Sequence, residues 1–300
     1  MFADFITTQI AVDGATIHLV HSDGRGGSRG KPPLLLLHGY PQTHAMWHKL
    51  APRLAEHFTI VAPDLRGYGD SSKPGGLPDH SNYSKRVMAR DQVDVMRALG
   101  FERFTVISHD RGARVAHRMA LDHPDRITKL VVLDIAPTLA MYEQTTMAFA
   151  RAYYHWFFFI QPAPLPERLI GADPEFYLRQ KMGGGSAGFS PFTPEAFAEY
   201  VRCFRDPATI HASCEDYRAA AAIDLELDRA DRQAGKKIRC PLLALWGKNG
   251  VIERCFRPLD DWAAAADDVR GKALPGGHYL AEELPDLVYD EINRFLLTSV

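Results

Sequence analysis

The stretch that decides the fold is Phe104-Thr-Val-Ile-Ser-His-Asp-Arg-Gly-Ala-Arg114. It opens with four β-branched or aromatic residues that predict a buried strand. From Gly112 to Leu121 the apolar residues recur at helical spacing. Between strand and helix, small residues flank Asp110 at positions 108 and 112. A strand that turns at once into a helix brings backbone against backbone, so little room is left there for Cβ substituents.

This strand–turn–helix resembles the nucleophile elbow of the α/β-hydrolase fold, with Asp110 in place of the usual serine. Asp134 then ends the next predicted strand, and His278 follows a Gly-Gly turn near the C-terminus. Nucleophile, acid and histidine follow one another in this order in that fold. We therefore predict that Asp110, Asp134 and His278 are the catalytic residues, with Glu253 as a lesser candidate for the acid.

The segment His38-Gly-Tyr-Pro41 follows the apolar run Pro33–Leu37, as an oxyanion loop does in this fold. The backbone N–H groups of Tyr40 and Arg111 would then be the two oxyanion donors. The alternative is that the segment forms only a tight turn.

The overall pattern predicts an α/β-hydrolase fold, a mostly parallel, doubly wound sheet with an inserted helical cap. Strands are predicted in the hairpin Phe5–Val20 and at Pro33–Leu37, Phe58–Ala62, Phe104–Ile107, Lys129–Ile135 and Cys240–Gly247. Strand patterns give way to helical ones between residues 138 and 225. We assign residues 1–137 and 226–300 to the core domain and 138–225 to the cap domain. Loops are expected at 22–30 and, within the cap, at 182–188.

Composition excludes several classes of function. The formal net charge of -2 gives no basic surface for nucleic acid or a membrane. No signal peptide is apparent at the N-terminus, and no apolar run is long enough to span a bilayer. The four cysteines form no CxxC pair and have no metal-ligand spacing with histidine, so we expect reduced thiols, no metal and a cytoplasmic protein.

An aspartate nucleophile favours a particular chemistry. It is anionic at neutral pH and can displace a leaving group from an sp³ carbon, which leaves an alkyl ester on Asp110. Histidine is needed only afterwards, to activate water against that ester. Activity should therefore fall as His278 becomes protonated at lower pH.

Two arginines follow the nucleophile on the first helical turn. Cations are poorly placed at a helix N-terminus, so Arg111 and Arg114 suggest a substrate that carries a carboxylate. The alternative is a pair of structural salt bridges to Asp64 or to another core acid. In the cap, the imidazole, indole and phenol of His155, Trp156 and Tyr217 could donate hydrogen bonds to a departing halide.

These motifs together resemble those of the haloacetate dehalogenases, the family that includes fluoroacetate dehalogenase. The resemblance rests on His38–Pro41, His109–Arg114, Tyr154–Trp156, Gln161–Glu167 and Cys214–Arg218. It implies a catalytic triad at Asp110, Asp134 and His278, carboxylate binding by Arg111 and Arg114, and halide binding by His155, Trp156 and Tyr217. It also implies a homodimer that needs no cofactor.

The sequence thus predicts hydrolysis of 2-haloacetates, with fluoroacetate the expected substrate, to glycolate and halide. An epoxide hydrolase with the same aspartyl elbow is the main alternative, because Tyr153, Tyr154 and Tyr217 could protonate an epoxide oxygen. The arginine pair has no purpose in that chemistry. A non-enzymatic ligand receptor on the same fold is the third possibility, and the complete triad argues against it.

Overall fold

The computed structural model describes residues 1–22, 30–184 and 187–297. Eight strands in these residues form one sheet in the order β1-β2-β4-β3-β5-β6-β7-β8. They are β1 (Phe5–Val12), β2 (Ala15–Ser22), β3 (Pro33–Leu37), β4 (Thr59–Pro63), β5 (Phe104–His109), β6 (Ile127–Leu133), β7 (Leu242–Gly247) and β8 (Val269–Leu274). The pairs β1–β2 and β2–β4 are antiparallel and the remaining pairs are parallel. The predicted fold class is confirmed.

The strands predicted from apolar runs are all present, with ends that differ by at most two residues. The central strands are buried on both faces, as parallel strands covered by helices must be. Strand β8 was not predicted, because its sequence Val-Arg-Gly-Lys-Ala-Leu is half polar. It lies at the edge of the sheet, where charged side chains on the exposed face discourage pairing with another chain.

Helices occupy the connections between the strands. The core helices are α1 (Ala51–Leu54), α2 (Lys85–Ala98), α3 (Asp110–Asp122), α12 (Val251–Cys255), α13 (Pro258–Ala263), α14 (Leu280–Glu283) and α15 (Pro285–Leu297). Those between β6 and β7 are α4 (Thr138–Glu143), α5 (Met147–Ala152), α6 (His155–Phe158), α7 (Leu165–Gly171), α8 (Pro174–Gly183), α9 (Pro194–Phe204), α10 (Pro207–Ala221) and α11 (Ile223–Gln233). No helix among the described residues is long and apolar enough to cross a membrane.

Eight helices lie between β6 and β7, and the first seven of them fall within the residues predicted to form the cap. We propose that the cap comprises residues 138–225 and the core residues 1–137 and 226–300. Helix α11 crosses this boundary, and the guanidinium of Arg118 on α3 pairs with Asp228 and Asp231 on its C-terminal half. Those ion pairs support assigning the later part of α11 to the core.

The two predicted loops are only partly described. Residues 23–29 of the first and 185–186 of the second lie outside the described residues. Met182 and Gly183, which we had placed in the second loop, instead complete helix α8. All four cysteines are free thiols, with Cys203 and Cys214 buried and the other two partly exposed.

Candidate active site

Asp110 lies at the turn between β5 and α3, with a backbone φ of 41°. A positive φ is unfavourable for a residue with a Cβ atom, and it marks strain that the surrounding structure must hold. The turn is also tight at Gly112, where a Cβ would come within 2.3 Å of the carbonyl oxygen of His38. Glycine is therefore required two residues after Asp110, as the elbow pattern predicted.

The predicted acid and base meet beside this elbow. Asp134 also has a positive φ, of 50°. Its Oδ2 lies 2.6 Å from Nδ1 of His278, and its Oδ1 accepts a 2.9 Å hydrogen bond from the N–H of Gly247. These bonds orient the imidazole and leave its Nε2 available as a base. Glu253, the lesser candidate, instead accepts a hydrogen bond from the indole N–H of Trp246.

The nucleophile is almost completely buried, with 4% of its surface exposed. The N–H of Tyr40 donates a 3.0 Å hydrogen bond to Oδ2 of Asp110, which places one of the two predicted oxyanion donors on this carboxylate. Burial alone would raise the pKa of Asp110, but the charges of His278 and Arg114 outweigh it and hold the pKa below its ordinary value. Asp110 is therefore anionic at neutral pH, as a nucleophile in this position must be.

Two buried histidines form hydrogen bonds to the loops around the predicted triad. His38 donates from Nδ1 to the carbonyl of Gly39 and accepts at Nε2 from the N–H of Leu65, at 3.0 and 2.9 Å. His109 donates from Nε2 to the carbonyl oxygen of His278 at 2.8 Å. Burial, followed by the nearby charge of His278, lowers the pKa of His109 to about 3. Both side chains therefore make structural hydrogen bonds in their neutral form.

Arg111 forms a buried ion pair with the cap. Its Nε and Nη2 donate to the two carboxylate oxygens of Asp216 at 2.9 and 2.7 Å, and its guanidinium lies 4.0 Å above the ring of Tyr217.

The carboxylate of Asp64 accepts hydrogen bonds from His18, His44 and Asp70. A structural ion pair therefore exists for Arg111, with Asp216 as the acid instead of Asp64. Nη1 of Arg111 is buried without a hydrogen-bond partner among the described residues and is left for a ligand.

Asp216 belongs to a buried network that joins cap and core. It lies on α10 and also binds the ammonium of Lys85 and the hydroxyl of Tyr68, the latter at 2.6 Å. Burial would raise its pKa, but the charges of Arg111 and Lys85 hold the pKa of Asp216 well below its usual range. This cap carboxylate thus orients Arg111 and neutralises part of the positive charge beneath the site.

We expect Asp216→Asn to lower the free energy of unfolding by about 3–5 kcal/mol, because it leaves buried cations without their counter-charge. Urea denaturation would measure the loss. Glu175→Gln is the matched control, since it removes a cap carboxylate whose partners Arg179 and Arg205 are exposed, and it should cost much less stability than Asp216→Asn. Equal losses in the two variants would contradict the role given to Asp216.

Arg114 differs from Arg111 in having no acidic partner. Its Nη1 donates to Oγ1 of Thr138 at 2.9 Å and to the carbonyl of Ala136 at 3.3 Å, while its buried Nε has no partner. No carboxylate lies within salt-bridge distance of it in the described part of the chain. Burial lowers the pKa of Arg114, and the charge of Arg111 lowers it further. A buried cation in this state is stabilised by an anionic ligand.

The three predicted halide donors come from two cap segments and meet in one place. His155 and Trp156 begin α6, and the ring centroid of Tyr217 on α10 lies 5.6 and 6.2 Å from theirs. Nδ1 of His155, Nε1 of Trp156 and Oη of Tyr217 are buried and have no hydrogen-bond partner among the described residues. The guanidinium of Arg114 lies 4.6 Å above the ring of Trp156. Unpaired buried donors of this kind suit a small anion.

Burial keeps these donors in their neutral forms. It lowers the pKa of His155 well below its ordinary value, assisted by the charge of Lys181. It also raises the pKa of Tyr217 well above its ordinary value, assisted by the negative charge of Asp110. At neutral pH the group therefore offers N–H and O–H donors and no negative charge of its own.

The sequence did not reveal two of these contacts. Asp216 lies inside the quoted segment Cys214–Arg218, yet nothing in the sequence paired it with an arginine 105 positions earlier. Tyr153 was considered only for epoxide chemistry, and its hydroxyl lies 3.2 Å from Nδ1 of His278. The one available signal for Tyr153 was its position two residues before His155, the first of the candidate donors.

Fold and site together define an α/β hydrolase in which Asp110 stands at the predicted nucleophile position. Residues 32–280 match the family model of the alpha/beta hydrolase fold. The chain belongs to the α/β-hydrolase family.

Two of the curated relatives are named for different activities. A fluoroacetate dehalogenase from Burkholderia sp is 49% identical over 297 residues, which are 99% of this chain and 95% of that protein. A soluble epoxide hydrolase from Corynebacterium sp. (strain C12) is 34% identical and covers 96% of each chain. A solved structure of a protein assigned to the α/β hydrolases, from Nostoc sp PCC 7120, is 58% identical with a TM-score of 0.94 over 100% of both chains.

Proposed function

We propose that this protein is a haloacetate dehalogenase that hydrolyses 2-haloacetates, with fluoroacetate as the expected substrate, to glycolate and halide. The observation that carries the proposal is Arg114, a buried cation with no acidic partner among the described residues, one helical turn from the proposed anionic nucleophile. A carboxylate-bearing substrate would supply the missing charge. The similarity to a fluoroacetate dehalogenase along nearly the whole chain supports the same assignment.

In the first step Asp110 attacks the α-carbon of the substrate. Arg114 and Nη1 of Arg111 hold the carboxylate, which would otherwise be repelled by the nucleophile. Because the N–H of Tyr40 binds Oδ2, Oδ1 is the attacking oxygen. The carbon–halogen bond breaks, the halide leaves with the bonding electron pair, and Asp110 becomes a carboxymethyl ester.

The departing halide is received by the cap. His155, Trp156 and Tyr217 donate neutral N–H and O–H hydrogen bonds to it in a site from which water is largely excluded. Fluoride is the smallest halide and the strongest hydrogen-bond acceptor, so it gains most from three converging donors.

In the second step water cleaves the ester. Nε2 of His278 removes a proton from water as the water oxygen attacks Cγ of Asp110, and Asp134 stabilises the imidazolium through Nδ1. The negative charge that develops on Oδ2 is stabilised by the N–H of Tyr40 and, we propose, that of Arg111. Collapse breaks the bond between Cγ and the alkyl oxygen, and glycolate takes the proton from His278. Asp110 is left as a carboxylic acid and returns to its anionic form by releasing the second water proton to solvent.

The assignment is tested by supplying fluoroacetate, chloroacetate and a terminal epoxide and measuring halide with an ion-selective electrode and diol by chromatography. We expect halide from the haloacetates and no diol. In a single turnover in ¹⁸O-labelled water the label should appear in Asp110 and not in glycolate, because water attacks Cγ. Diol formation without halide release would overturn the assignment.

An epoxide hydrolase is the second candidate, favoured by the Corynebacterium relative and by the hydroxyl of Tyr153 beside His278. Such an enzyme needs tyrosine hydroxyls that reach the epoxide oxygen, and buried Tyr217 also qualifies, whereas Tyr154 is exposed. The unpaired cation of Arg114 has no role in opening a neutral epoxide. A ligand receptor would show no turnover of either substrate class.

We further propose that the protein forms a homodimer and needs no cofactor, as its resemblance to the haloacetate dehalogenases implies. We also propose that it acts in the cytoplasm, as its unpaired cysteines suggest. Light scattering coupled to size-exclusion chromatography measures the oligomeric state. Activity of the purified protein after exhaustive dialysis against a chelator tests the independence from metal ions.

A further inference from the structure

A cavity of about 680 Å³ opens beside the catalytic histidine. Its wall includes His278 and Tyr153, so it reaches the triad from the cap–core boundary. The described lining also contains two cations, Lys181 on α8 and Arg254 on α12, and no carboxylate. A concave surface with one sign of charge concentrates field lines and attracts ions of the opposite sign.

Lys181 is the cation nearest to the chemistry. Its Nζ lies 5.0 Å from the centre of the Tyr153 ring, and the hydroxyl of that tyrosine lies 3.2 Å from Nδ1 of His278. No carboxylate pairs with Lys181 in the described ranges of the chain. An unpaired ammonium one aromatic ring away from the catalytic base is unexplained by packing, and the reaction steps above do not use it.

We propose that this cavity is the entrance for the anionic substrate and that Lys181 attracts the carboxylate before Arg111 and Arg114 bind it. The inference rests on the proposed function and adds the route by which a haloacetate arrives. Lys181 is a steering residue and makes no contact with the reacting atoms. Its charge accelerates association because the substrate is a small anion and Asp110, at the end of the route, repels it.

The experiment measures association directly. In the Asp110→Asn background, which binds without turnover, stopped-flow quenching of tryptophan fluorescence reports chloroacetate arriving beside Trp156. We expect Lys181→Met to lower the association rate constant about 5- to 10-fold at about 0.02 M salt, and the difference to shrink towards unity at about 1 M salt. Lys181→Arg should keep the rate within about twofold.

Lys237→Met is the matched control, because it removes one positive charge from a residue that binds only the carbonyl of Ala263 among the described residues. It should leave the association rate unchanged. An equal fall in both variants, or no fall in Lys181→Met at low salt, overturns the inference. If the wild-type protein releases no halide from any haloacetate, the proposed function itself fails, which is a separate outcome.

The pH dependence of the association rate provides a second test of Lys181. Burial lowers the pKa of Lys181 to about 8, and the charge of Asp110 opposes this shift. The groups that face it are Asp110, Tyr153, His155, Arg254 and His278. With lysine at position 181, association should therefore slow as pH rises through about 8. In the Asp110→Asn background the decline should occur at or below that pH, because the negative charge that raises the pKa of Lys181 is absent. Lys181→Arg should abolish this decline, and a decline that persists in it contradicts the role of Lys181.

Discussion

His278→Asn is expected to stop the reaction after the first chemical step, with Asp110 carrying a carboxymethyl ester. The first step needs only the anionic carboxylate and its neighbouring cations, so alkylation continues without the histidine. The second step needs Nε2 to take a proton from water, and asparagine has no comparable base. Intact-protein mass spectrometry after incubation with fluoroacetate should show one added carboxymethyl group, with one halide released per protein molecule.

Two companion variants make that result specific. Asp110→Asn should release no halide and gain no mass, because an amide is a poor nucleophile. Digestion of the His278→Asn protein should place the added mass on the peptide that contains Asp110. If His278→Asn releases no halide at all, or turns over at the wild-type rate, the two-step mechanism is wrong.

The elbow could be predicted because the residues that define it are neighbours in the sequence. Strand, tight turn and helix follow within a few residues, and Gly112 is required by a backbone only 2.3 Å from where its Cβ would be. The buried parallel strands are equally local signals, since each is a short apolar run. Strand β8 escaped because an edge strand carries charges that break this pattern.

The sequence predicts which residues form the candidate site but not how they are arranged. Chain order and residue type were enough to propose the triad, the arginines and the halide donors. Which arginine is paired depends on Asp216, a cap residue that folds back over the core, and no periodicity encodes that contact. From the sequence Arg111 and Arg114 were equivalent, whereas in the described structure Arg111 pairs with a carboxylate and Arg114 does not.

That difference makes Arg114 the more informative position. We expect Arg114→Met to lower kcat/KM for chloroacetate about 10²- to 10³-fold, because the substrate carboxylate would be buried beside Asp110 with its main counter-charge removed. Arg114→Lys should retain part of the activity, since an ammonium keeps the charge but loses the planar pair of donors. Steady-state kinetics give kcat/KM for chloroacetate and for the neutral chloroacetamide. The ratio of the two values should fall towards unity in Arg114→Met.

Stability separates this role from a structural one. If an arginine belongs to a structural ion pair, loss of one partner makes the protein unfold more easily, as predicted for Asp216→Asn. Within the described ranges Arg114 has no such partner, and its lowered pKa means that folding disfavours its charged form. Replacing it by an apolar side chain should therefore leave the free energy of unfolding unchanged or raise it, while saturating acetate should stabilise the wild-type protein and not the variant. A large loss of stability in Arg114→Met would assign the arginine to the fold instead of to the substrate.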